Sequence, residues 1–312
     1  MKTKKTRREF LKASASGALG AFIIPGEIWK NSGMTSTTPL VPDEDIRGLG
    51  LQLYTIRDAM AKDVPGSLEK VAKTGYRYLE LADYNRGKFY GYEPAEFKRL
   101  AASMGLECIS SHASVDSRGV TQEEAKKMAD DHAKLGVKYC IHPYVAEGDR
   151  KTIARYQALV ADWNMVGRVM KENGIQFGYH NHNFEFDTVQ GKIPYTDIFL
   201  AELDKEYVTM ELDLFWAIKA GQDPVSLFKK YPGRFKLFHM KDMYTREAPF
   251  YDVSSNDFAP VGAGVVDFRK ILASADVAGM QYMFVEQDNT RDGKPFDAIQ
   301  ESFTNLTTKI LT

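Results

Sequence analysis

The sequence predicts an α/β chain folded as a (β/α)8 barrel, and three observations carry that expectation. Eight short apolar runs alternate with longer amphipathic stretches, a glycine recurs between a helical stretch and the next run, and polar residues gather at the ends of the runs. The runs are Gly48–Tyr54, Tyr76–Ala82, Leu106–His112, Val137–Pro143, Ile175–Asn181, Val208–Phe215, Phe235–Lys241 and Gln281–Glu286. Several are almost continuously apolar, as parallel strands covered on both faces are. Gly75, Gly105, Gly136, Gly174 and Gly279 each follow a helical stretch, where a left-handed C′ residue is wanted. A repeat of helix, glycine and strand implies right-handed βα units, and eight of these close into a barrel. The competing architecture is an open doubly wound sheet, but no glycine-rich phosphate loop follows the first run.

The helical stretches carry their own start and stop signals. Pro94–Met104 begins with a proline suited to the first turn and repeats Phe97, Leu100 and Ala101 at helical spacing. Thr121 and Glu124 form a capping box for a helix to Leu135, closed by Gly136. Thr152–Asn173 reads as one long helix and Pro224–Tyr231 as a short one behind Asp223. Asp267 is placed to cap Phe268–Ala275, and Phe296–Leu311 ends the chain.

In such a barrel the active site lies at the C-terminal ends of the strands. Tyr54, Glu80, His112, His142, His180, His182, Asp213, His239 and Glu286 all fall at or near run ends, and these include five of the six histidines. Residues i and i+2 of a strand share a face, so His180 with His182, Glu211 with Asp213, His239 with Lys241 and Glu286 with Asp288 each form a pair. Any one histidine reads as a hydrogen-bonded structural group; five on one rim point to a common pocket. Glu211 is expected one layer below Asp213, Asp288 in a solvated loop, and Lys241 as a neutralising partner of Glu211 or Asp242. Tyr54 and Trp216 read either as core aromatics or as surfaces at the rim of a sugar pocket. Imidazoles mixed with carboxylates suit a divalent ion: Mn, Co, Zn, Fe or Mg.

Composition sets the remaining bounds. The chain has 312 residues, 44% of them hydrophobic and 27% charged, with a formal net charge of −1. That balance gives no general attraction to nucleic acid or to an anionic membrane. Residues 1–30 read as a twin-arginine signal peptide, with Arg7-Arg8 and Phe10 ahead of an apolar run from Ala13 to Ile24 that is too short for a stable membrane span. Residues 31–46 read as a linker and 47–312 as the barrel domain. The expected partner of that segment is therefore the twin-arginine export machinery, and the expected location is the periplasm. Cys108 and Cys140 lie inside apolar runs and are expected as buried free thiols rather than a disulfide.

The motifs YHNHNFEF, ELDLFWAIKAG, FHMKD and VGAGVVDF, in this order, resemble those of the xylose isomerase-like TIM-barrel superfamily, the sugar phosphate isomerase/epimerase group. The resemblance runs from Leu49 to about Thr308. It implies a metal held by groups on strands five to eight, the last three matching Asp213, His239 and Glu286. Where many members carry Glu-Asn-His on strand five, this chain has His180-Asn181-His182. The fourth ligand is thus assigned to His180, with Glu185 in reserve, and the departure tilts toward the inosose dehydratase branch. Trp216 stands where epimerases commonly have a histidine.

The chemistry so implied is proton abstraction beside a carbonyl, with an enediolate stabilised by the metal. The first expectation is a sugar isomerase or epimerase; the alternative is a lyase or dehydratase acting by β-elimination on a 3-keto-glycoside or inosose. Glu286 or His182 is expected as the base and Lys241 or His142 as the acid. Glu80 and His112 are expected to bind hydroxyls of the small-molecule carbohydrate substrate.

Overall fold

A computed structural model of the chain describes residues 48–115, 119–189, 193–245, 254 and 257–312. The expected signal peptide and linker lie outside the described residues. Eight parallel strands close into a barrel: β1 (Leu49–Gln52), β2 (Tyr78–Leu81), β3 (Glu107–His112), β4 (Tyr139–His142), β5 (Gln176–His180), β6 (Val208–Asp213), β7 (Phe235–Met240) and β8 (Tyr282–Val285). Around the ring the order is sequential, and β8 pairs with β1 to close it. The helices on the outside are α1 (Val64–Thr74), α2 (Pro94–Ser103), α3 (Gln122–Leu135), α4 (Ile153–Glu172), α5 (Tyr195–Glu202), α6 (Leu214–Lys219), α7 (Pro224–Lys230), α8 (Phe268–Leu272) and α9 (Pro295–Asn305). No described helix is long and apolar enough to cross a membrane.

The local signals act as their chemistry requires. Thr121 Oγ1 accepts from the Glu124 amide at 3.2 Å while Glu124 Oε2 accepts from the Thr121 amide at 2.8 Å, so the capping box starts α3. Gly136 ends α3 at φ 90°, a conformation that costs a Cβ-bearing residue.

Several boundaries differ from the sequence expectation. The sixth strand stops at Asp213 because its side chain caps α6, accepting from the Trp216 amide at 2.9 Å. The stretch expected as Phe268–Ala275 breaks after Leu272 and resumes as a separate turn, Ala275–Ala278; the last helix ends at Asn305 in a π turn, Leu306–Ile310. Two helices carry no clear periodic signal, since most of α5 is buried and α6 reads as more strand; α1 is amphipathic, with Leu68 and Val71 buried, but Pro65 and Gly66 in its first turn obscure its start.

Most of the core lies between the barrel and its helices, where Trp163 of α4 stacks on Tyr179 of β5 with ring centroids 4.7 Å apart. A smaller apolar cluster, Ile109, Tyr139, Ile141, Leu237 and Phe284, draws on β3, β4, β7 and β8. Cys108 and Cys140 are buried free thiols; burial pushes Cys108 up to about 12.

Candidate active site

Strand alternation decides which polar groups meet. On β5, Phe177 and Tyr179 pack outward on the helices, and Gly178 and His180 point into the barrel. A Cβ at Gly178 would lie 2.6 Å from Ile141 Cδ1 and 3.0 Å from Thr209 Cγ2, so only glycine leaves that layer undisturbed beneath the histidine. Glu211 of β6 lies opposite His180, and Asp213 opposite His239 of β7. The inner column of β7 continues to Lys241 and that of β8 to Glu286 and Asp288.

These side chains form two tiers that share His239. In the lower tier His239 Nε2 donates to Glu80 Oε2 at 2.5 Å and lies 3.2 Å from Glu211 Oε2. His112 Nε2 lies 2.9 Å from Glu211 Oε2, and the Gln52 amide donates to Glu80 Oε2 at 2.9 Å. Burial and the neighbouring Glu211 charge raise the Glu80 carboxyl. Burial opposes ionisation of Glu211 too, but His239 and His112 hold it well below the carboxylate range.

In the upper tier His239 Nδ1 lies 2.7 Å from Glu286 Oε2, 3.1 Å from His180 Nε2 and 3.8 Å from Asp213 Oδ2. His180 Nε2 is 3.3 Å from Asp213 Oδ2. Lys241 Nζ bridges Asp213, Glu286 and Asp288 at 3.0, 2.8 and 2.9 Å. Asp213 is held from both ends. Its amide donates to Asn181 at 3.0 Å, and Oδ1 caps α6, which leaves Oδ2 for the site.

The donor atoms of His180, Asp213, His239 and Glu286 all lie within 4.8 Å of one another. Asp213 Oδ2 and Glu286 Oε2 are buried and, apart from their charge contacts, take no regular hydrogen bond among the described residues. Two ring nitrogens facing each other across 3.1 Å share at most one proton, whereas both can aim lone pairs at one cation. This donor set fits a divalent ion of borderline hardness. Lower-tier carboxylates on the far nitrogen of His239 would orient such a ligand.

Burial alone would lower His239, but Glu211, Glu286 and Glu80 together push it well above the usual histidine value. Likewise Lys241 and His239 overcome burial and hold Glu286 well below the usual carboxylate value. His182 is lowered well below the ordinary value by burial and by the charges of His180 and Lys241.

A cavity of about 520 Å³ opens above the upper tier, and Tyr54, His112, His180, His182, Trp216, Lys241, Glu286 and Asp288 are among the residues lining it. Several expectations are corrected there. His142 does not line the cavity: Tyr139 and Ile141 take the inward positions of β4, so His142 faces outward beside Trp163 and Tyr179. Its Nδ1 accepts from the Val115 amide at 2.9 Å, and burial lowers it to about 4. Glu80 is fully buried under His239 rather than lining the cavity. Glu185 is also fully buried; it accepts from the Tyr179 hydroxyl and, at 2.7 Å, from the His182 amide, so it is spent on local structure. Asp288 is no solvated loop residue but a partner of Lys241.

Sequence reading passed over Gln52, Arg57 and Tyr144. Gln52 is the last residue of β1 and caps the 3-10 turn Leu53–Ile56, its side-chain oxygen accepting from the Tyr54 amide at 3.0 Å; its place near the end of the first apolar run was the available signal. Arg57 donates to the Tyr54 and Asp288 carbonyls at 3.0 and 2.8 Å, joining β1 to β8 at the mouth. The motifs FHMKD and VGAGVVDF also prove to be one device. Asp242 accepts from the amides of Met243, Gly262, Gly264 and Val266 at 2.8, 2.9, 3.0 and 3.1 Å, which pins the segment after Phe258.

A family model described as xylose isomerase-like TIM barrel matches residues 68–308. The chain belongs to the xylose isomerase-like TIM-barrel family. It is similar to an inosose dehydratase of Lacticaseibacillus casei, 24% identical over 154 residues that cover 46% of this chain and 50% of that protein. The chain thus spans about half the length of the curated relatives it matches. Among solved structures it is similar to a sugar phosphate isomerase/epimerase from Parabacteroides distasonis, with TM-score 0.74 and 27% identity, covering 91% of this chain and 99% of that one. A Mycobacterium smegmatis xylose isomerase-like TIM barrel protein in complex with magnesium shares the fold at TM-score 0.63 and 16% identity, covering 87% of this chain and all of that one (100%).

Proposed function

We propose that this protein is a carbon–oxygen lyase of the dehydratase kind, acting on a keto-sugar or inosose-like substrate. The observation that carries the reading is one-sidedness. The carboxylates lining the cavity, Glu286 and Asp288, both follow β8, while the fifth-strand position is His180 and Glu185 is occupied elsewhere. Two-carboxylate epimerisation needs bases on opposite faces of one carbon; β-elimination needs a base and an acid on the same substrate face or nearby. The inosose dehydratase named among the relatives supports the same class.

His180, Asp213, His239 and Glu286 would hold a divalent ion, which would supply Lewis-acid polarisation of the carbonyl beside the carbon that loses its proton. Glu286 takes that proton, its carboxylate kept ionised by Lys241 and His239. As the C–H bond breaks, the carbon–carbon double bond forms and the β C–O bond breaks. The departing oxygen takes a proton from Asp288, which burial raises to about 6, a value suited to a general acid near neutral pH. Lys241 bridges the two carboxylates at 2.8 and 2.9 Å and relays the proton from Glu286 back to Asp288. His112 and Trp216 bind the sugar ring.

A second reading, isomerase or epimerase, rests on His182. This neutral imidazole lines the cavity just beyond β5 and can serve as a base from the other face. The test is incubation of the Mn-, Co-, Zn- or Mg-loaded protein with 3-keto-glucosides, inososes and simple ketoses in heavy water. A lyase releases water or an aglycone; an epimerase returns a compound heavier by deuterium alone. The Arg7-Arg8 signal supports export of the folded protein to the periplasm, which secretion assays with Arg7→Lys/Arg8→Lys would test.

A further inference from the structure

The barrel holds a second group of convergent donors, beneath the first. Glu80 of β2, His112 of β3, Glu211 of β6 and His239 of β7 each contribute one atom, and those atoms lie within 4.8 Å of one another. His239 Nε2 is 2.5 Å from Glu80 Oε2 and 3.2 Å from Glu211 Oε2. His112 Nε2 is 3.5 and 2.9 Å from the same two oxygens. Zinc bonds of about 2.0–2.2 Å set tetrahedral donors roughly 3.3–3.6 Å apart, so the four imidazole–carboxylate separations need open by less than about 1 Å to enclose an ion.

Glu80, Glu211 and His239 are fully buried, and Glu80 Oε1 and Glu211 Oε1 take no hydrogen bond among the described residues. A buried carboxylate oxygen without a partner is costly in a network held by protons alone; a cation compensates the whole carboxylate. In the upper tier Lys241 spans Asp213 and Glu286. The lower carboxylates meet imidazoles and the Gln52 amide instead. His112 also lines the cavity, its side chain 10% exposed, which gives an ion a way in.

We propose that the lower tier is a second divalent-cation site. Two nitrogens and two oxygens in a closed setting suit four-coordinate Zn²⁺ or Co²⁺, whereas Mg²⁺ keeps several waters that such a setting does not admit. The ligands come from two pairs of neighbouring strands, β2–β3 and β6–β7, so the ion ties the barrel across its interior under the cavity. With one ion above, on Nδ1 of His239, Nε2 keeps its hydrogen bond to Glu80. A second ion takes the place of that proton, which makes the lower site the weaker one and the second to fill. Nothing in it depends on which reaction the cavity runs.

The test counts ions. Chelator-stripped wild type, Glu211→Gln, His180→Ala and the distant control Val277→Ala are dialysed against buffered Zn²⁺ and assayed for metal and protein. Wild type and Val277→Ala are expected to hold two ions per chain, and Glu211→Gln and His180→Ala one each. Co²⁺ gives a second reading: in the wild type the second equivalent is expected to bring the intense visible bands of a four-coordinate ion, and in Glu211→Gln those bands are lost. Thermal unfolding checks that each variant folds; its midpoint is expected to rise with the second equivalent of Zn²⁺ in the wild type and not in Glu211→Gln. A single ion in the wild type that is kept in Glu211→Gln and lost in His180→Ala overturns the lower site and leaves the upper one standing. Two ions still bound in Glu211→Gln overturn it as well. A single ion lost in Glu211→Gln and kept in His180→Ala upholds the lower site and removes the upper.

Discussion

Glu80 reaches from β2 into the barrel interior to hold His239 of β7, its Oε2 2.5 Å from the ring Nε2. That bond spends one nitrogen of the imidazole and fixes the other, Nδ1, toward Glu286 and Asp213. Removing the negative charge in Glu80→Gln is expected to weaken divalent metal binding by roughly 10–100-fold. Competition with a chromogenic chelator measures it; an unaltered affinity would show that Glu80 does not set the ring.

Glu286→Gln is expected to leave the fold intact and lower α-proton exchange into heavy water by about 10²–10⁴-fold. Exchange is read by mass spectrometry on a keto-sugar, and wild-type exchange in the variant would move the base elsewhere, with His182→Ala as the next test.

Glu185 makes a prediction about pH and stability. Burial raises its carboxyl from 4.5 to about 8, so over that window the native state holds a proton that the unfolded chain has released. Stability from this group is complete below the lower value and is lost as pH rises through the upper one. Urea denaturation at about pH 5 and about pH 8 should show the wild type losing a few kcal/mol relative to Glu185→Gln. Parallel pH curves for the two proteins would contradict it.

Asp242→Ala is expected to cost at least about 3 kcal/mol, since four buried or half-buried amides lose a charged acceptor. Gly264→Ala should be comparably damaging, because its Cβ would lie 2.3 Å from the Met243 carbonyl oxygen and 2.4 Å from Asp242 Oδ1. Denaturation midpoints check both; near-wild-type stability in either would reduce the clamp to a passive contact.

The barrel was legible because parallel strands buried on both faces leave apolar runs, and because helix caps use few residue types. The grouping of Asp213, His239 and Glu286 was legible for the same reason, as strand ends set height in the barrel. Height is not direction, however. His142 ends its strand as His112 does, but Tyr139 and Ile141 hold the inward parity of β4, which only pairing register reveals. The register shift between Leu79 and Glu80 against β3 likewise falls where the depth of Glu80 is decided. The engagement of Glu185 with Tyr179 depends on a turn whose path no local signal announces.

Main-chain amides are alike in every residue type, so the carboxylate of Asp242 reads the path of residues 262–266 and not their side chains. Ala263 and Val265 can be exchanged without touching that grip, while Gly264 cannot. Randomised libraries at those two exposed positions would vary the surface chemistry over a backbone that stays put, so the loop can drift in sequence while its path is kept.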